Sequence, residues 1–235
     1  MRMNFAILRL MQPERIAALL APYLGGATLT DAQLSQLATF LDLLIRWNAR
    51  INLTSVRQPE QIVSRHFGES LFAARQLYPA CNLEPAARSL LDFGYGAGFP
   101  GLPIKIYGPA LGVTLLESNH RKATFLREAV RALQLTGVEV LAIRAEDYAA
   151  QIVNRKSPIS DSLTVTLRAV ERFQQILPTA VRLLQSSPAS HRRLALLIGA
   201  AQVQTAREIA PTITWSDPLP IPASSQRVLL IGHSQ

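Results

Sequence analysis

The sequence predicts an α/β protein, a mostly parallel sheet covered by helices on both faces, preceded by a helical N-terminal portion. Three observations lead there. From Arg88 onward, short apolar runs alternate with segments of helical periodicity, the pattern of βα units around a sheet buried on both sides. Before Asn82 no run has convincing strand periodicity. Between the first apolar run and its helix stands the glycine-rich loop Gly94-Tyr95-Gly96-Ala97-Gly98.

In chain order, helices are expected at 14–24, 31–48 and 60–77. Thr30 with Gln33 has the form of a capping box, and Leu34, Leu37, Leu41, Leu44 and Ile45 follow at helical spacing. Pro13 and Pro59 stand near helix starts, and Pro79 lies just past an end. Asn82 to Pro85 reads as a joint, which divides the chain into a helical portion, 1–85, and an α/β domain, 86–235. Strands are expected at 89–93, 113–117, 138–143, 163–167, 194–198 and 227–231, with a weaker one at 213–215, and helices at 100–107, 121–133, 170–184 and 200–209.

Hydrophobic residues make up 49% and charged residues 17% of the 235-residue chain, which excludes a disordered polymer. The net charge of +8 suits a polyanionic partner. Of 24 basic residues 21 are arginine, the better phosphate ligand because its planar fork is bidentate. Cys81 is the only cysteine, so an internal disulfide or a cysteine-based metal site is excluded. The four histidines lack metal-ligand spacing, and no metal is expected. No apolar run is long enough for a membrane span, and a cytoplasmic location is expected.

A loop of this kind bends tightly, lets a ligand approach the backbone and presents helix N–H groups. Gly94, Gly96 and Gly98 are followed by Phe99 where a dinucleotide fingerprint needs its third glycine. Asp92, just before the loop, would sit poorly beside a pyrophosphate but suits an amine or sulfonium, so the inferred ligand is S-adenosylmethionine. Glu117, ending the second strand, is placed to accept both ribose hydroxyl protons of an adenosine; a helix-capping acid is the plainer alternative.

Asp92 to Pro103 resembles the D-x-G-S-G-A-G-F-P-G-x-P motif of the RsmG (GidB) family, bacterial 16S ribosomal RNA (guanine-N7)-methyltransferases. In the same order, Trp47 to Thr54 resembles its W-N-x-x-x-N-L-T segment, Arg65 to Ser70 its R-H-F-x-D-S, Arg144-Ala145-Glu146 its R-A-E, and Leu167 to Val170 its S-R-A-V. The resemblance implies a Rossmann-like methyltransferase fold with a seven-stranded sheet, S-adenosylmethionine as cofactor and 16S rRNA or the small ribosomal subunit as partner; a monomer is expected. It also implies that Ala145 and Glu146 flank the adenine and that Phe99 packs on the methionine part, where a core role is the alternative. Arg168, just past the fourth strand, would touch the cofactor carboxylate or a target phosphate, a surface salt bridge being the alternative. Guanine N7 has an available lone pair, so catalysis is expected to rest on positioning, without a base. His66 is thus expected to be structural, a substrate contact being the alternative, and a turn-and-cap role is favoured for Asn48 and Asn52.

Several residues depart from the family pattern. Tyr95 replaces the usual Ser, Phe93 a smaller residue, and Glu69 the usual Asp. Ser162-Leu163-Thr164-Val165 lacks the acid expected near the fourth strand, and Leu196-Leu197-Ile198-Gly199 lacks a lysine. These departures keep three other readings open. They are a small-molecule methyltransferase, insensitive to RNA; a non-catalytic rRNA-binding or assembly protein, which transfers nothing; and a nicotinamide-dependent oxidoreductase, disfavoured by Phe99.

Overall fold

The computed structural model describes residues 11–79, 88–93, 96–152, 161–168 and 173–234. The N-terminal portion holds α1 (Pro13–Leu24), α2 (Asp31–Asn48), a short α3 (Pro59–Gln61), a π-helical stretch (Ile62–Gly68) and α4 (Glu69–Leu77). Local chemistry sets these bounds. Pro13 opens α1 and Gly25 closes it in the left-handed region, at φ 53°. At α2, Thr30 Oγ1 accepts the Gln33 N–H while Gln33 Oε1 accepts the Thr30 N–H, the reciprocal cap foreseen from sequence. The same Gln33 amide donates to the Ile106 and Tyr107 carbonyls, which ties α2 to the end of a helix in the second half.

The second half alternates β1 (Arg88–Phe93), α5 (Gly101–Tyr107), β2 (Gly112–Leu116), α6 (His120–Ala132), β3 (Val138–Leu141), α7 (Ala145–Ile152), β4 (Ser162–Arg168), α8 (Phe173–Ser186), β5 (His191–Gly199), α9 (Val203–Ile209), β6 (Thr214–Trp215), β7 (Leu219–Pro220) and β8 (Arg227–Ser234). One sheet results, in the order β3-β2-β1-β4-β5-β8-β6, with β7 paired to β8. The first five strands are parallel, and β8 runs antiparallel to β5. The expected strands all appear, within a few residues at their ends. Expectation missed three features: α7, the β7 bridge, and the π-helical stretch inside 60–77. The expected helix over 200–209 is split into a 3-10 turn, Ala200–Gln202, and α9. The start of the helix expected at 170–184 lies outside the described residues.

Strand alternation gives each face its own core. Leu90, Val113, Leu115, Ala195, Leu197 and Leu229 face one cluster, which also contains Ile16, Phe40, Phe67 and Leu71 of the N-terminal helices. Leu91, Phe93, Val165, Leu167 and Leu196 face another, covered by α8 and by Ala206 of α9. The helical portion therefore shares its core with the sheet. Within that shared face β4 presents Thr164 and Thr166, both fully buried. Polar groups in such a place need partners, and Thr166 finds one at the site.

Candidate functional site

Strand order reverses at β1, flanked by β2 and β4, and a sheet that reverses there opens a crevice beyond the carboxyl ends of its strands. Asp92 occupies that point with no exposure. Its Oδ2 accepts the Gly101 N–H at 2.9 Å, an unpaired donor of the first turn of α5, and its Oδ1 accepts the Thr166 hydroxyl at 2.8 Å, from the residue in register across β4. Burial pushes its carboxyl up to about 6, against these two hydrogen bonds and the Arg168 charge. Asp92 thus shapes the loop from beneath rather than facing the crevice. Gly98 has φ 75°, and a Cβ there would stand 2.7 Å from Leu102 Cδ1. At Gly101 a Cβ would lie 2.6 Å from Leu115 Cδ2. Gly101 therefore meets the need for close helix-strand packing that a dinucleotide fingerprint assigns to its third glycine. Gly96, at φ 109°, lies under Lys122 of α6, whereas Gly94 and Tyr95 lie outside the described residues.

A crevice of about 270 Å³ opens beside the loop, walled by Phe93, Leu116, Ile143 and Ile176. Glu117, Ala145 and Glu146 also line it. Glu117 is 5% exposed; its Oε1 accepts the Asn119 N–H at 2.7 Å, while Oε2 is buried with no hydrogen-bond partner among the described residues. Burial raises its pKa, opposed by the Asn119 amide, the Lys122 charge and the Gly96 amide of the glycine loop. A buried carboxylate in a crevice that also holds Ser118, Arg144 and Gln175 fits the adjacent hydroxyls of a ribose whose base lies between Phe93, Ile143 and Ile176. The helix-capping alternative for Glu117 does not hold, because Asn119 caps α6 by accepting the Arg121 and Lys122 amides. Ala145 and the exposed Glu146 form the first turn of α7. Ile143 and Ile176 were missed from sequence, since apolar residues at strand and helix ends look like ordinary core.

On the shared face, Phe99 is 7% exposed and sits among Phe40, Phe67 and His66, with ring centroids 5.3, 5.5 and 4.9 Å away. This packing is that of the core alternative for Phe99. Arg168 lies over the same ring, its guanidinium carbon 5.7 Å from the centroid. From the end of β4 it pairs with Glu69 Oε2 at 2.9 Å and donates to the Arg65 carbonyl at 3.0 Å. Its Nη2 also meets His66 Nδ1 at 2.8 Å, and Thr54 Oγ1 lies 2.7 Å from His66 Nε2. A guanidinium can only donate, so Nδ1 is the acceptor and Nε2 carries the proton. Burial, then the Arg168, Arg65 and Arg227 charges, drive the His66 pKa down to about 2. A neutral histidine with both nitrogens engaged is an orienting group, as expected of it. Asn48 likewise has the expected turn role: Oδ1 accepts the Leu53 and Thr54 amides, and Nδ2 donates to the Thr54 carbonyl.

Glu69 was singled out only as a departure, yet it is the hub of this cluster. Its Oε1 pairs with Arg227 of β8 at 2.9 Å while Oε2 holds Arg168. No spacing in the sequence connects residues so far apart. His191, Arg192 and Arg193 begin β5 at the end of the sheet opposite the crevice, where Arg193 donates to the Leu77 carbonyl. Ala169 and Val170 lie outside the described residues.

Fold and crevice together are those of the Rossmann-like methyltransferases that take S-adenosylmethionine. A putative methyltransferase, yhhF, from Escherichia coli superposes with a TM-score of 0.54 at 16% identity over 71% of this chain and 86% of that one. A SAM-dependent methyltransferase from Aquifex aeolicus gives 0.52 at 16% identity, over 76% and 94%. Likeness at that identity concerns the fold. The sequence pattern of the GidB family, rRNA small subunit methyltransferase G, matches residues 33–191, and the chain belongs to this family. Among its relatives, ribosomal RNA small subunit methyltransferase G of Chloroflexus aggregans is 39% identical over 68% of this chain and 63% of its own length. The protein of the same name from Stenotrophomonas maltophilia is 37% identical over 85% of this chain and 89% of its own.

Proposed function

We propose that this chain transfers a methyl group from S-adenosylmethionine to N7 of a guanine in 16S rRNA, acting in the cytoplasm as a monomer. The observation that carries the cofactor part is the buried Glu117 carboxylate, which lines the crevice at the switch point together with Phe93, Ile143 and Ile176. Glu117 would hold the ribose, Ala145 and Glu146 the adenine edge, and Gly96 and Gly98 the close approach of the methionine part. When bound, the cofactor supplies an electrophilic methyl on a sulfonium. No side chain need remove a proton, because N7 offers its lone pair directly, and the engaged nitrogens of His66 agree with that. The protein's part is to fix the two reactants in line and exclude water. Arg168 has Nη1 left over after its contacts to Glu69, His66 and the Arg65 carbonyl, and this would meet the cofactor carboxylate or a target phosphate. The site draws on both halves of one chain, which supports a monomer. Among the described residues no helix is long and apolar enough to cross a membrane.

Titration calorimetry with S-adenosylmethionine tests the cofactor site. Hydrogen bonds to a charged group are worth about 1.5–3 kcal/mol, so Glu117→Ala should bind about 10- to 100-fold more weakly; equal affinity removes Glu117 from the site. Labelled methyl should appear in 16S rRNA or small subunits with wild type. Its absence while the cofactor binds would reject the reaction.

A further inference from the structure

A second and larger crevice, about 970 Å³, opens at the same end of the sheet, between the π-helical stretch and the far ends of β5 and β8. Glu69 lines it and also grips Arg168, so this crevice adjoins the carboxyl end of β4, the strand beside the switch point. Its outer wall is built firmly. The Ile221 N–H bonds the Arg227 carbonyl, the Ala200 N–H bonds the Gln226 carbonyl, and the Arg227 N–H bonds Ser224 Oγ. Polar side chains on the rim are nevertheless left over: Gln61, Ser64, Arg65, Ser225 and Gln226 make no side-chain hydrogen bond to another described residue. Charge around it is unbalanced as well. Arg65, Arg168 and Arg227 surround a single carboxylate, Glu69, and His66 beside them is neutral.

The geometry points to this crevice as the groove for the RNA strand next to the target guanine, with a phosphodiester between Arg65 and Arg227 and the free amide of Gln226 facing the ribose or base of that neighbouring nucleotide. This rests on the reaction proposed above. Excess positive charge in a partly enclosed space attracts phosphate, and arginine holds it with a two-pronged hydrogen bond. Uncommitted amides and hydroxyls suit single-stranded RNA, whose 2′-hydroxyls and base edges stand open. Glu69 acts through its neighbours as a positioning residue, since one carboxylate keeps Arg168 and Arg227 at fixed separation. The longer Glu, in place of the family's usual Asp, has the reach to do so.

The test uses the full chain and a 16S rRNA transcript as probe, with Arg65→Gln compared with Arg131→Gln. Arg131 is exposed at the C-terminal end of α6, at the opposite end of the sheet. Arg65→Gln should raise KM for rRNA about tenfold, leave kcat, S-adenosylmethionine affinity and Tm unchanged, and reduce the slope of log affinity against log salt by about one. Arg131→Gln should change none of these. An unchanged slope and KM in Arg65→Gln would overturn the groove, and so would equal losses in both variants, which would mean diffuse attraction to the whole surface. A wild type that binds the transcript but transfers no methyl would overturn the reaction instead, and the salt series would still decide the groove.

Discussion

Asp92 shows how single residues here are tuned by what surrounds them. Its two hydrogen bonds favour the charged form, but complete burial outweighs them and holds the pKa at about 6, above the ordinary 3.8. Because the folded value is raised, the stability Asp92 contributes is fully present below about pH 4 and is lost as pH rises through 6. His66 has the opposite sign. Its pKa is depressed to about 2 from 6.5, so its contribution is present above 6.5 and declines as pH falls below that. The two slopes oppose each other between about pH 4 and 6, which hides both in the wild type. Asp92→Asn separates them, since the amide oxygen can accept the Gly101 N–H and its nitrogen can donate to Thr166. Between pH 4 and 7 the stability of Asp92→Asn should gain on wild type by about 3 kcal/mol, from a shift of about two pKa units. Urea unfolding at several pH values measures this, and parallel curves for the two proteins would show that Asp92 is ionised in the fold throughout.

At the scale of elements, what was legible in the sequence was whatever depends on near neighbours. The cap at Thr30, the prolines at helix starts and the apolar runs of the strands all act within a few residues, so α2 and the sheet strands were found. The glycine loop and Glu117 could be read for the same reason, each standing at a strand end. The contact of Asp92 with Thr166 follows from strand register, and those of Glu69 with Arg168 and Arg227 from the packing of α4 against the sheet, so both join residues far apart in the chain. The π-helical stretch was hidden too, because its residues have an ordinary helical pattern. Its wider turn brings the Arg65 carbonyl, the His66 ring and the Glu69 carboxylate onto Arg168 together, in keeping with the tendency of π turns to gather at functional sites. Gly68 ends the stretch against the Tyr23 ring of α1, where a Cβ would come within 2.6 Å. Gly68→Ala should therefore overpack the contact and cost about 1–3 kcal/mol, lowering Tm by several degrees in calorimetry. Tyr23→Leu in the same chain should recover part of that loss; a Gly68→Ala protein as stable as wild type would mean that α1 yields freely.

For the molecule as a whole, the decisive feature is that the helical portion and the α/β portion have no separate interiors. Phe40 of α2 and Phe67 of the π-helical stretch pack on Phe99 of the loop, and Phe125 of α6 stacks 6.4 Å from Phe40. Gln36 of α2 donates to the Leu133 carbonyl just past α6, and Arg193 of β5 to the Leu77 carbonyl at the end of α4. Separating the halves would expose this aromatic cluster to water at about 25 cal/mol for every Å² of apolar surface and would leave Arg168 without Glu69. The joint read at Asn82 to Pro85 lies outside the described residues; with a shared interior, the two parts should unfold together. Calorimetry on the intact chain should show one transition, and S-adenosylmethionine at about 100 times its Kd should move all of it upward. Binding to the folded state alone adds about 2.7 kcal/mol at that ratio, which for a chain of this length corresponds to roughly 5–10 °C. Two transitions, with only one responding to the cofactor, would mean that the halves hold together separately and that the aromatic contact between them adds little.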